Sequence, residues 1–120
     1  MRLNLKGTNL TLDASIRDYL NRQLASVGKL IDLEDPAVMV DVELGQTTRH
    51  HQTGDIFRAE INLYRGKETF RAVAEAGSVT AAIDLAQGEL THELSSRKGK
   101  RLSFLRRGGQ RLKKMLRSLY

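Results

Sequence analysis

The sequence predicts an α+β domain of order β-α-β-β-β-α, a four-stranded sheet with two helices packed on one face, followed by a basic C-terminal tail. Three observations carry this. Four segments alternate polar and apolar residues with the period of a strand, and two others repeat apolar residues with the spacing of a helix. The acids stop at Glu93, while the cations continue almost to the end of the chain. The predicted units are therefore a folded body over 1–96 and a tail over 97–120, flexible or folding on binding.

Arg2 to Lys6 alternates, with Leu3 and Leu5 on one side, and reads as a short strand with one covered face. Gly7-Thr8-Asn9 is a turn signal. Thr11 or Asp13 then supplies a side-chain oxygen to cap a helix. Ile16, Leu20, Leu24, Val27 and Ile31 follow helical spacing, and Arg17, Arg22 and Lys29 fall off that stripe. Asp32 to Pro36 closes the helix, with the chain's one proline where it interrupts neither a helix nor a ladder.

Val38, Val40, Val42 and Leu44 alternate with Met39, Asp41 and Glu43 in a second strand. The polar loop Gly45 to Asp55 carries Arg49, His50 and His51. Phe57, Ala59, Ile61 and Leu63 form a third alternating set, and Phe70, Ala72 and Ala74 a fourth. Between them Tyr64-Arg65-Gly66-Lys67 is a tight turn, in which Gly66 allows the positive φ of hairpin loops. Ser78 is placed to cap the last helix. Its stripe is Val79, Ile83, Ala86, Leu90 and Leu94, and it organises the chain by covering the sheet and carrying the tail.

The tail divides further. Arg97 to Arg101 is a basic run interrupted by Gly99, Leu102 to Leu105 an apolar patch, and Arg106 to Gly109 a flexible basic joint. In Gln110 to Tyr120, Leu112, Met115, Leu116 and Leu119 recur at helical spacing among Arg111, Lys113, Lys114 and Arg117. A helix that short is marginal alone, since isolated helices below about 12–15 residues rarely hold.

Charge is the strongest functional signal. Met1 to Ser96 holds ten lysines and arginines against all 14 acids, a balance of −4, inside a chain of net charge +6. Arg97 to Tyr120 holds ten cations and no acid: Arg97, Lys98, Lys100, Arg101, Arg106, Arg107, Arg111, Lys113, Lys114 and Arg117. Such a split describes a basic arm directed at a polyanion.

Catalysis and cofactors find no support. The chain has no cysteine, so it offers no disulfide, thiolate nucleophile or thiolate metal site. Adjacent His50 and His51 point apart on an extended segment and have no third ligand at a convincing spacing. They read better as loop groups that gain charge near a polyanion. His92 reads as a surface residue, and Asp41 and Glu43 as surface carboxylates of one strand. Phosphate-loop, nucleophile-elbow and dinucleotide motifs are missing. No apolar run approaches a signal peptide or the roughly 20 residues of a membrane span. The expectation is a soluble cytoplasmic protein that is not an enzyme and uses neither metal nor cofactor.

The segments G-T-N-L-T-L-D-A-S-I-R-D-Y-L, V-x-V-x-V-x-L, F-R-A-E-I-N-L, F-R-A-V-A-E-A and A-A-I-D-L-A, in this order from Met1 to about Arg101, resemble the ribosome hibernation promoting factor family. That family includes the ribosome-associated inhibitor once called protein Y. The resemblance implies the β-α-β-β-β-α fold read above. It also implies a stress-response regulator of translation that binds the small ribosomal subunit in the channel of mRNA and tRNA. There it would contact 16S rRNA and neighbouring ribosomal proteins, compete with mRNA and tRNA, and keep idle ribosomes inactive and protected. By position it assigns rRNA contacts to Arg17, Arg22 and Lys29, and to Arg97, Lys98, Lys100 and Arg101. The chain ends at Tyr120, which matches the short form without a C-terminal dimerisation domain and leads us to expect a monomer in isolation.

Two departures bear on the contact surface. Where the family carries lysines and arginines along the second helix, this chain has Glu89, His92, Ser95 and Ser96. Thr80 stands where an aromatic residue usually precedes A-A-I-D. Electrostatic affinity is therefore expected to reside in Arg97 to Arg117. With Phe57 and Phe70 assigned to the core, few rings remain for base stacking, so recognition by shape and phosphate is expected. Two alternatives share parts of the pattern. A protein of anionic membrane surfaces would use Leu112, Met115, Leu116 and Leu119. A general double-stranded RNA binder would share the helix-on-sheet layout but would need a basic body.

Overall fold

The computed structural model describes residues 1–48 and 55–107, with side chains at 1–47 and 56–97. The order is β1 (Arg2–Thr8), α1 (Ala14–Ala25), a 3₁₀ turn (Ser26–Lys29), β2 (Val38–Thr48), β3 (Asp55–Arg65), β4 (Glu68–Ala76) and α2 (Val79–Arg107). This is the predicted α+β fold.

The strands lie in sequence order, β1-β2-β3-β4. β1 pairs with β2 in parallel, Leu3 beside Val40 and Leu5 beside Val42. A parallel pair needs a crossover, and α1 provides it. β2, β3 and β4 form an antiparallel meander in which Val42 faces Ile61 and Ile61 faces Ala72. The β3–β4 connection is the expected tight hairpin. Gly66 sits at φ +58°, where a side chain would be strained, and Arg65 Nη2 bonds Glu68 Oε1 at 2.8 Å across it.

Period-two alternation sends one side of every strand inward. Val38, Val40, Val42, Leu44, Ala59, Ile61, Leu63, Phe70 and Ala72 are buried from the sheet. Ala82, Ile83, Ala86, Leu90 and Leu94 are buried from α2, and Leu20 and Leu24 from α1, so both predicted stripes meet one core. Val79 and Ile16 flank it half-buried. Among the described residues no polar or charged residue is buried, and no buried side-chain nitrogen or oxygen lacks a partner. The core is held by apolar burial and close packing.

The caps follow the sequence. Asp13 Oδ1 accepts from the Ile16 N–H at 2.9 Å, and Ser78 Oγ from the Ala81 N–H at 3.1 Å. Two differences have local causes. The first helix does not run regularly to Ile31: α1 ends at Ala25 and the chain tightens into the 3₁₀ turn around Gly28. Val27 and Ile31 stay buried all the same. The last helix does not stop near Ser96. Its backbone continues to Arg107, taking in the run, the apolar patch and the first two residues of the expected joint. Gly99 alone costs a helix about 1 kcal/mol, and the arginine, lysine and leucine around it favour helix.

Gly7 is a close approach. A Cβ there would meet the Leu10 carbonyl oxygen at 2.7 Å and Leu12 Cγ at 3.0 Å, and Asn9 turns the chain back with φ +54°. Gly7→Ala is expected to destabilise the fold by about 1–3 kcal/mol, the scale of an overpacked site. Chemical denaturation should show this as a lower midpoint with an unchanged slope.

Candidate nucleic-acid interface

The helices leave two surfaces for a partner: the open face of the sheet, and the outer side of the helix pair with its extension beyond the core.

The open face is internally compensated. Asp41 Oδ1 accepts from Asn4 Nδ2 at 2.8 Å, and Glu43 Oε1 from Thr8 Oγ1 at 3.0 Å. Glu60 is shared by Arg71 at 2.5 Å and Arg58 at 3.8 Å. These bonds agree with the reading of Asp41 and Glu43 as surface groups. A hollow of about 360 Å³ lies over Asn4, Lys6, Asp41, Glu43, Glu60 and Asn62, and its three carboxylates are the ones just paired. Among the described residues no group of three or more metal-ligating side chains is arranged to hold an ion, and no helix is long and apolar enough to cross a membrane.

On the helix side two polar clamps join α1 and the 3₁₀ turn after it to α2. The Tyr19 hydroxyl donates to Asp84 Oδ1 at 2.5 Å, and Gln87 Nε2 donates to Ser26 Oγ at 2.5 Å and Thr91 Oγ1 at 2.9 Å. The bond to Asp84 pushes the Tyr19 phenol above its ordinary range. Burial and the carboxylate charge add to this, and Arg22 opposes it. The Arg22 guanidinium lies 5.8 Å from the Tyr19 ring centroid, so the clamp also steadies an arginine.

The expected RNA-binding residues fall into four groups. Arg17, Arg22 and Lys29 are exposed, with Arg17 Nε 3.5 Å from the Leu12 carbonyl oxygen. Arg17 and Arg22 stand about 140° apart around α1, so they do not form one patch by themselves. Lys98, Lys100, Arg101, Arg106 and Arg107 follow one another along the α2 backbone. Arg97 is engaged within the fold: its guanidinium lies 4.1 Å from the Phe70 centroid, with Nε 3.2 Å from Glu93 Oε1 and Nη2 3.1 Å from the Thr69 carbonyl oxygen. Arg49, His50, His51, Arg111, Lys113, Lys114 and Arg117 lie outside the described residues.

The result is a helix divided by charge. From Val79 to Ser96 it holds Asp84, Glu89 and Glu93 and no lysine or arginine. From Arg97 to Arg107 it holds six cations and no acid. A polyanion would be repelled by the first part and drawn to the second.

Residues 3–102 match the profile of a family described as Sigma 54 modulation protein / S30EA ribosomal protein. The chain is 29% identical over 100 residues to a ribosome hibernation promotion factor of Picosynechococcus, covering 83% of this chain and 50% of that protein. It thus spans half the length of that curated relative. Among solved structures it is similar to the N-terminal domain of Thermus thermophilus protein Y, with TM-score 0.63 and 30% identity over 78% of this chain and 96% of that one. A ribosomal subunit interface protein from Coxiella burnetii shares the fold, with TM-score 0.66 and 16% identity over 82% and 99% of the two chains.

Proposed function

Because the chain belongs to the Sigma 54 modulation protein / S30EA ribosomal protein family, we propose that it is a cytoplasmic ribosome hibernation factor. It binds the small ribosomal subunit in the mRNA and tRNA channel and keeps idle ribosomes inactive. The domain over 1–96 supplies the shape that fits the subunit, and the basic segment over 97–120 supplies the electrostatic grip on rRNA. The protein acts by occupancy, without catalysis or a cofactor.

One observation carries this reading: the stretch of α2 from Lys98 to Arg107, with five cations and no acid, on a body whose own charge is negative. Uncompensated cations on one helical segment gain most from a dense array of phosphates, where neutralisation releases condensed counterions. The paired sheet face offers no rival surface of that strength. Relatives named for ribosome hibernation and for the ribosomal subunit interface make the ribosome the natural source of those phosphates.

Sedimentation with purified small subunits tests the proposal. The full chain should pellet with subunits at low salt, be displaced by initiator tRNA, and be released as salt rises. Equal binding to arbitrary duplex RNA would instead make it a general RNA binder. Binding to anionic vesicles but not to subunits would make it a membrane-surface protein.

A further inference from the structure

We infer that Arg97 is the anchor that sets the direction of the basic helical extension against β4, and not one of its phosphate ligands. The inference rests on the reading of that extension as the rRNA-binding element. It goes further in assigning the first cation of the run a different task from the cations that follow.

The geometry is specific to arginine. One face of the guanidinium lies over the Phe70 ring at 4.1 Å, and two of its nitrogens reach different partners, Glu93 on the same helix and the Thr69 carbonyl on β4. A planar group can stack and donate in its plane at once, whereas an ammonium is a point charge without a plane. Phe70 is itself fixed, 1% exposed and opposite Leu63 in register, so the platform does not move. β4 is an edge strand, and the bond to Thr69 engages one of its carbonyl groups.

The position along the helix gives the interaction its consequence. Leu94 is the last buried residue of α2 among the described side chains, and one turn further on Arg97 still reaches back to the sheet. The ten residues from Lys98 to Arg107 extend about 15 Å further, at about 1.5 Å per residue. A tilt of about 20° at their base would move the tip by about 5 Å, enough to take a cation off its phosphate. The guanidinium already spends its Nε–H and one Nη2–H within the fold and has the Glu93 carboxylate beside it, so part of its charge and two of its five donors are committed before any RNA arrives.

The test uses the absence of cysteine from the chain. Spin labels on Ser15→Cys and Ser103→Cys report the direction of the extension relative to α1 without any ribosome. The parent should give one narrow distance distribution, and Arg97→Lys and Arg97→Ala should both broaden it. Subunit binding should then fall about tenfold in Arg97→Lys despite its unchanged charge, the equivalent of removing one stacked, charge-assisted interaction. A narrow distribution in Arg97→Lys would overturn the anchor, whatever the binding. A broad distribution with full binding would overturn the link between direction and affinity. A parent that binds no subunits would overturn the ribosomal reading, and the distances would still decide the anchor.

Discussion

Replacing Lys98, Lys100, Arg101, Arg106 and Arg107 together by glutamine is expected to weaken small-subunit binding by at least about a hundredfold at near-physiological salt, by the counterion-release argument. For every phosphate that goes unneutralised, the slope of log affinity against log salt should become shallower by about 0.7–0.9. If all five cations reach phosphate, most of the salt dependence goes with them. The fold should be untouched, because the substitutions lie beyond Leu94, the last buried residue of α2 among the described side chains, and glutamine is a good helix former. Arg97 is left in place so that the direction of the helix is kept. The matching change of Arg17, Arg22 and Lys29 to glutamine should cost less, since these three are spread around the first helical segment of a body with net charge −4. Parallel titrations at several salt concentrations separate the two sets. Equal losses would mean that the helix pair and the extension share the grip.

The largest loss of stability is expected from Leu90→Ala, at about 2–5 kcal/mol. Leu90 has no exposed surface and lies midway along the α2 stripe, between Ala86 and Leu94. Those neighbours cannot close the gap. Ala86 is already small, and Leu94 belongs to the next turn. The strands beneath are held in register by their ladders, so the space would remain a cavity. Because α2 also carries the cations, subunit binding should fall with the folded fraction and recover when temperature is lowered. Denaturant titration gives the first quantity and binding at two temperatures the second. A variant that melts like the parent would mean that the α2 stripe is not the fold's main support.

The parts of this architecture that are legible in sequence are those set by local pattern. Alternation at Val38 to Leu44 and at Phe57 to Leu63 marks strands, because neighbouring side chains of a strand must face opposite ways. The four-residue steps from Val79 to Leu94 mark a helix for the complementary reason. Asp13 and Ser78 are legible as caps because a short side-chain oxygen ahead of an apolar stripe has one obvious use.

The rest depends on distance along the chain. Tyr19 meets Asp84 and Gln87 meets Ser26 only after the helices have packed together, and neither spacing carries a local signal. The platform of Arg97 is Phe70, which alternation assigns to the core but does not identify as a stacking surface. The length of α2 is hidden for another reason. Its apolar stripe is interrupted after Leu94 by the polar and basic run from Ser95 to Arg101, so periodicity falls silent where the backbone continues as helix. The charge division of α2 needs only counting once the helix is known to reach Arg107.

An electron cryo-microscopy map of the full chain bound to the small subunit tests the central claim most directly. The expected map places the body in the mRNA and tRNA channel, with the α2 segment from Lys98 to Arg107 lying against rRNA phosphates and Arg97 still stacked on Phe70. A map with the body elsewhere on the subunit, or with α1 on the RNA and the α2 extension turned to solvent, would contradict it.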